Sequence, residues 1–221
     1  ARPHRPVPRA FLKGVNRMKS RLLSCLAVAA ITFAVPGSAA HAQGTPATKG
    51  IKAGIYKVDG AHTQAVAKVM HLGFNSYYLL WGEAEGSLTL DPAKPAASKV
   101  SITIPMESLK TSNEELTAHL KKPDFFDAPK FPTLSFTSTA VKPTGATTAD
   151  ITGNLTVHGV TKPVTIKATF VGQGIGPMNK APTVGFEGAT TIRRSDFGVS
   201  YGVPMLGDAV NLEITAAFEM R

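Results

Sequence analysis

Asn211-Leu212-Glu213-Ile214-Thr215-Ala216-Ala217-Phe218 sets the fold class. Leu212, Ile214, Ala216 and Phe218 alternate with Asn211, Glu213, Thr215 and Ala217. That is the period of two in which successive side chains leave opposite faces of a strand. One face is apolar and the other polar, as in a sheet with one side in a core. Val100-Ser101-Ile102-Thr103-Ile104 repeats the pattern. Extended along the chain, the same reading places strands near 55–59, 64–72, 77–90, 99–105, 133–141, 147–157, 161–172, 183–193 and 208–219. Turn material separates them: Gly73 with Asn75, Asp91-Pro92, Pro143-Thr144-Gly145, Gly159, the run from Gly172 to Pro182, and Gly202 to Gly207.

One segment departs from this pattern. Ser112-Asn113-Glu114-Glu115-Leu116 offers Ser112 as an N-cap with Glu115 three residues on, a capping-box spacing. Leu109, Leu116 and Leu120 can share one face of a short helix over 112–122, and Pro123 ends it. Strands with a single helix and no alternation of strand and helix argue for an all-β domain. Antiparallel strands protect their edges by closing into a barrel or by packing as a sandwich. The strand count and the long strands favour a barrel of about eight strands, which is either filled by side chains or holds one small ligand. The pattern alone leaves barrel and sandwich, and filled and hollow, both open.

Composition bounds the remainder. Of 221 residues, 43% are hydrophobic, enough for a sizeable core or a lined cavity. The net charge of +9 is misleading, because residues 1–42 hold seven of the 24 basic residues and no acid. That leaves 17 basic against 15 acidic residues beyond position 42, too even a balance for nucleic-acid binding through phosphate neutralisation. Met18-Lys19-Ser20-Arg21 reads as a basic n-region, Leu22–Val35 as an apolar h-region, and Ala40-His41-Ala42 as a small-x-small cleavage site, so a mature chain starting at Gln43 is expected. The h-region is too short to span a bilayer and is followed at once by Pro36 and Gly37. Met18 is the expected start, with 1–17 as upstream sequence. The expected organisation is thus 1–42 upstream segment plus signal peptide, 43–54 a flexible leader, and 55–221 the β domain. Cys25, the one cysteine, lies in the h-region, where Leu22-Leu23-Ser24-Cys25 only faintly resembles an acylation box. The expected mature chain has no thiol chemistry and no disulfide.

Several constellations bear on chemistry. His62, His71, His119 and His158 match no zinc spacing, and no metal or cofactor is expected. Asp59 and His62 invite a hydrolase reading, but there is no Gly-x-Ser-x-Gly elbow, and a structural role for Asp59 in a turn is favoured. Glu83 and Glu85 read as an outward solvated pair rather than an acid/base pair. Arg193 and Arg194 point to opposite faces; one buried arginine would need Asp196 or an anionic ligand head as partner. Small residues (Ala65, Ala67, Gly82, Ala84, Gly86, Gly185, Gly188, Ala189) among many aromatics make a cavity conceivable.

These residues also carry a resemblance. Tyr56-Lys57-Val58-Asp59 with His62, His71-Leu72-Gly73, Gly86 with Leu88, and His119-Leu120 leading to Asp124-Phe125-Phe126-Asp127 stand in order. Lys130-Phe131-Pro132 with Phe136-Thr137-Ser138 follows, then the most diagnostic block, Ile151-Thr152-Gly153-Asn154-Leu155-Thr156-Val157-His158-Gly159-Val160-Thr161-Lys162-Pro163-Val164. Gly185-Phe186 and Arg194-Ser195-Asp196-Phe197-Gly198 complete it. From Tyr56 to Phe218 the chain resembles the YceI family of polyisoprenoid-binding, lipocalin-like periplasmic proteins. The resemblance implies an extended eight-stranded antiparallel barrel with one short helix. It also implies a tunnel for a long isoprenoid or other lipid-like chain, and no catalytic residues. The family commonly places an aromatic where Ala67 stands; here the tunnel is expected to be wider, or filled by Trp81.

The residues expected to touch such a ligand are Val69, His71, Leu80, Trp81, Leu88, Leu90, Phe126, Phe136, Leu155, Val157, Phe170, Phe186, Ile192, Arg194 and Phe197. The expected function is a periplasmic, non-enzymatic binding protein that sequesters or carries a long-chain isoprenoid (polyprenyl or quinone-type) lipid. Neither stable membrane insertion nor nucleic-acid binding is expected, and transient membrane contact stays open. The competing readings are a packed structural domain and a lipid or ester hydrolase using Asp59 and His62. Oligomeric state stays open, a dimer included.

Overall fold

The structure, a computed structural model, describes residues 44–220. The expected upstream segment, the expected signal peptide with its cleavage site, and Cys25 lie outside the described residues.

Ten strand segments follow one another: β1 (Gly54–Val58), β2 (Gln64–His71), β3 (Asn75–Trp81), β4 (Glu85–Leu90), β5 (Lys99–Pro105), β6 (Thr133–Pro143), β7 (Thr148–Val157), β8 (Val160–Ile175), β9 (Pro182–Arg193) and β10 (Leu206–Met220). All pairings are antiparallel. β10 pairs along one edge with β2 at Leu206–Thr215 and with β1 at Phe218–Met220, so β1 and β2 are two halves of one bent strand. β3 pairs with β2 and β4 with β1, so β3 and β4 are likewise two halves of the next strand. Counted this way, eight strands run in chain order, up and down, and the first closes on the last. The result is a closed eight-stranded antiparallel barrel with one helix, α1 (Glu114–Leu120). Closure through the β1–β10 pairing answers the choice between barrel and sandwich, and the one strand left at the end of the order, β3, is bridged on its outer edge by Leu80 and Lys110.

The expected strand over 77–90 is broken at 82–84. Glu83 takes a left-handed φ of 55° beside Gly82, and Ala84 is buried against Gly60, where an added Cβ would lie 2.5 Å from the Ala84 carbonyl oxygen. The neighbouring strand breaks at the same level, over 59–63. There Thr63, buried, replaces lost ladder bonds with its hydroxyl, which accepts from the Ala217 N–H at 3.2 Å and donates to the Ala217 carbonyl at 3.4 Å. Two matched breaks let the wall bend, with Asp59 N–H and the Thr63 hydroxyl both bonded to the Ala217 carbonyl at the break.

The antiparallel order sorts the connections between two ends. At one end lie the β2–β3 turn, the long 106–132 connection with α1, the β7–β8 turn and the 194–205 connection. At the other lie the β4–β5, β6–β7 and β8–β9 connections and residues 44–53. The helix starts at Asn113 rather than at Ser112: the Asn113 side chain accepts the Leu116 N–H at 2.8 Å, while Ser112 Oγ lies 3.2 Å from Tyr77 Oη. Residues 44–53 are tied to β8. Thr45 and Gln173 exchange backbone bonds of 2.8 and 2.9 Å, and Gln173 Nε2 donates to the carbonyls of Ala47 and Lys49. A small, turn-rich composition hid this pairing, because the partner is a side-chain amide far along the chain.

Candidate functional site: an apolar chamber open at one end

In β10 the even-numbered residues face inward, as the alternation requires, and in β5 Val100, Ile102 and Ile104 do the same. The inward side chains do not all meet. Towards the β1–β4 end they close into a solid plug. Tyr56 is fully buried there with Val58, Leu88, Phe170, Val184 and Phe218, and Leu90 and Phe186 pack against them. The Phe170–Phe186 and Phe186–Phe218 rings meet edge-on at 5.6 and 6.0 Å. Above this floor the barrel is hollow. A cavity of about 850 Å³ is walled by Ala65, Ala67 and Val69 of β2, Tyr77, Leu79 and Trp81 of β3, and inward aliphatic or aromatic residues of β5–β10. β1 and β4 contribute none of its lining. Inward residues such as Val164, Ile166, Ile192, Leu212 and Ile214 are only half-buried, as expected where side chains face space rather than one another.

Polar groups gather at the α1 end. His71 and Asn75 from the β2–β3 hairpin, Asn113, Glu115 and His119 from the α1 region, and Arg194 all reach the cavity. His119 Nε2 lies 2.6 Å from Asp124 Oδ2, and this bond holds the Asp124 carboxyl below its ordinary value. His119, Phe125 and Tyr201 stack edge-on or tilted around it. Arg194 does not bond to Asp196, the side-chain partner that the sequence suggested. Nε donates to the Gly207 carbonyl at 2.8 Å, Nη1 to Val199 and Tyr201 at 2.8 and 2.9 Å, and Nη2 to Leu206 at 3.1 Å. Burial lowers its pKa and Asp208 opposes that shift. Four carbonyls satisfy a fork that Asp196 does not reach, and they fasten the 198–207 loop to the barrel rim.

Of the residues nominated from sequence, Val69, His71, Trp81, Phe126, Phe136, Leu155, Val157, Ile192, Arg194 and Phe197 line the cavity. Leu88, Leu90, Phe170 and Phe186 do not: they face inward but belong to the plug below the floor. Leu80 points outward and is 37% exposed, with its backbone paired to Lys110. Leu80 and Trp81 are consecutive in one strand, so only one of them can face in. Ala67 faces the cavity and Trp81 sits beside it on β3, across from Ala65. The Trp81 indole N–H is buried with no partner, and its ring meets Phe126 edge-on at 5.7 Å. Not nominated from sequence were Tyr77, Leu79, Ile104, Ile166, Leu212, Ile214, Leu116 and His119, which also line the cavity. Strand parity was the signal that could have found most of them.

The hydrolase pair stands apart. Asp59 and His62 are bonded at 2.6 Å, but His62 is 77% exposed and neither lines the cavity. Asp59 instead accepts the Ala61 N–H in the turn between β1 and β2. Among the described residues no group of three or more His, Cys, Asp or Glu is placed to hold a metal ion.

A closed up-and-down barrel of eight strands, plugged at one end and hollow to the other, defines a lipocalin-like protein. The YceI-like domain model matches residues 56–218, and the chain belongs to the YceI family. A UPF0312 protein of Pseudomonas putida strain GB-1 is 42% identical over 162 residues, covering 72% of this chain and 83% of that protein. The crystal structure of Burkholderia cenocepacia BcnA superposes with a TM-score of 0.65 at 26% identity, covering 72% of this chain and 98% of that one. A polyisoprenoid binding domain from Saccharophagus degradans, implicated in plant cell wall breakdown, shares the fold with a TM-score of 0.58 at 11% identity, over 77% of this chain and all of that one.

Proposed function

We propose that the protein is a non-catalytic carrier that holds a long-chain isoprenoid lipid, polyprenyl or quinone-type, in the barrel chamber. The observation that carries the reading is the mainly apolar cavity of about 850 Å³, whose ionisable lining groups, His71, Glu115, His119 and Arg194, all lie towards the α1 end. That division suits a ligand with an oily tail and one polar head. Burying roughly twenty CH₂-sized units is worth roughly 16 kcal/mol gross, much of it offset by lost ligand freedom. Tight binding therefore needs no strong polar site. That the Saccharophagus degradans domain is a polyisoprenoid binding domain supports the choice of isoprenoid. The signal-peptide reading of 18–42 supports a periplasmic place of work, and no helix of the described residues is long and apolar enough to cross a membrane.

Trp81 is the one tryptophan of the chain and lines the chamber, so its fluorescence reports filling. Protein purified from its native host is expected to release an isoprenoid into organic extract, identified by mass spectrometry. The stripped protein is expected to show saturable change in Trp81 emission as a polyprenol is added. A protein that leaves the host empty and gives no fluorescence response would sink the carrier reading.

A further inference from the structure

At the α1 end of the barrel, two neighbouring loops that contribute lining to the chamber carry unusual surfaces. Leu206 pairs with His71, which sets the β2–β3 turn beside the 198–205 loop. On the turn, Leu72 and Gly73 take φ of 52° and 75°, the two central positions of a tight hairpin, and Phe74 donates its N–H to the His71 carbonyl at 3.0 Å. A leucine at positive φ is strained, and here it is exposed with Phe74, which is 86% accessible. On the facing loop Met205 is 69% exposed and Tyr201 is half-exposed, stacked on Phe125. No Asp, Glu, Lys or Arg occurs in residues 69–82 or 197–207, against 18% charged residues in the whole chain. Behind the tips, Arg193 and Asp208 neutralise each other at 2.9 Å.

We propose that this end of the barrel docks on a lipid bilayer, with Leu72, Phe74 and Met205 inserted among the acyl chains and Tyr201 at headgroup level. The proposal rests on the carrier reading for its purpose but not for its test. Convex tips free of charge enter a bilayer without desolvating an ion, and tyrosine favours the interface. A bilayer accepts protruding side chains of any outline, whereas a protein partner needs a matching concave surface. A second copy seated here would also cover the chamber mouth. Docked as proposed, Met70 and Leu206, which line the cavity at its entrance, continue the apolar path from bilayer to chamber. A lipid tail can then pass inward without crossing water. Because the tips carry no basic cluster, attraction to anionic headgroups is not the driving force.

The test is flotation of the protein with phosphatidylcholine vesicles at low and high salt, beside the double variant Phe74→Ser/Met205→Ser. The wild type is expected to float at both salt concentrations and the variant to partition at least about tenfold less. In the same two proteins, Trp81 emission on adding a polyprenol delivered in cyclodextrin is expected to be equal, showing an intact fold and chamber. Docking is overturned if the wild type stays in solution, if salt abolishes its flotation, or if the variant floats equally well. It is also overturned if sedimentation shows the substitutions merely splitting a dimer while vesicle binding is unchanged. Flotation without any Trp81 response would leave docking standing and remove the carrier reading instead.

Discussion

Asp208 ties the 194–207 connection to β10 through bonds that acid can undo. Its carboxylate accepts the Ser195 N–H and the Ser195 hydroxyl, each at 2.9 Å, and pairs with Arg193. The Ser195 backbone bond is the leading cause of a pKa held below the ordinary carboxylate value, with the Ser195 hydroxyl and Arg193 adding to it against burial. Arg194, in the same loop, remains charged despite its burial, since a guanidinium starts far above working pH. The acid sensitivity of this loop therefore belongs to Asp208. A group whose folded pKa is depressed stabilises the fold above its unfolded pKa and loses that contribution as pH falls through the folded value. Asp208→Asn keeps an acceptor for the Ser195 N–H but removes the charge. It is expected to cost about 1 kcal/mol at neutral pH by urea denaturation. The gap between variant and wild type should narrow as pH falls below the ordinary carboxylate range. A gap that is constant across pH would show that the carboxylate's charge is not what holds the loop.

Among the elements, α1 shows how a one-residue choice escapes sequence reading. Ser112 and Asn113 are adjacent, and both residue types are good N-caps. The choice is made by tertiary contact: Tyr77 of β3 engages the Ser112 hydroxyl, and the Asn113 amide oxygen is left to take the Leu116 N–H. Asn113→Ala is accordingly expected to destabilise by about 1 kcal/mol, and Ser112→Ala by only a few tenths, in urea melts. Equal costs for the two would refute the assignment. The strands were readable for the opposite reason. Alternation in 100–104 and 211–218 is a local signal that burial on one face enforces, and β5 and β10 follow it. The break at 82–84 was not readable. Gly82, Glu83 and Ala84 interrupt the strand because Gly60 of the neighbouring strand approaches Ala84, a contact between chain segments that pattern does not encode. The same limit explains the site. Parity says which side chains face inward, and ten nominated residues reached the cavity, but parity cannot say how far along the axis the plug ends. Phe170 and Phe186 face inward like Phe136 and Leu155, yet the first two form the floor and the others the wall above it.

For the molecule as a whole, the plug makes the chamber finite, and finiteness is measurable. A through-channel would let a long tail emerge from the far end, so binding would be indifferent to chain length once the channel was filled. A pocket with a floor has a capacity. At about 30 Å³ for each water-sized group, the volume of about 850 Å³ holds roughly 28 carbon-sized units. Each unit added below that limit buries more apolar surface and strengthens binding, while units beyond it stay in water at the mouth. Ligands that bind the folded state alone stabilise it in proportion to the logarithm of their saturation, so a hundredfold excess over Kd adds about 2.7 kcal/mol. For a chain of this length each kcal/mol moves Tm by roughly 2–4 °C. With a series of prenyl alcohols of increasing length at one free concentration, Tm of the stripped protein is expected to climb with length and then level off near roughly 28 carbons. The limit should fall when the wall is thickened by Val164→Phe, because Val164 faces the chamber and the larger ring occupies volume that the tail would otherwise fill. A rise that continues well past this length would mean that the Tyr56–Phe218 plug opens for the ligand. A Tm independent of length would place the binding site outside the barrel.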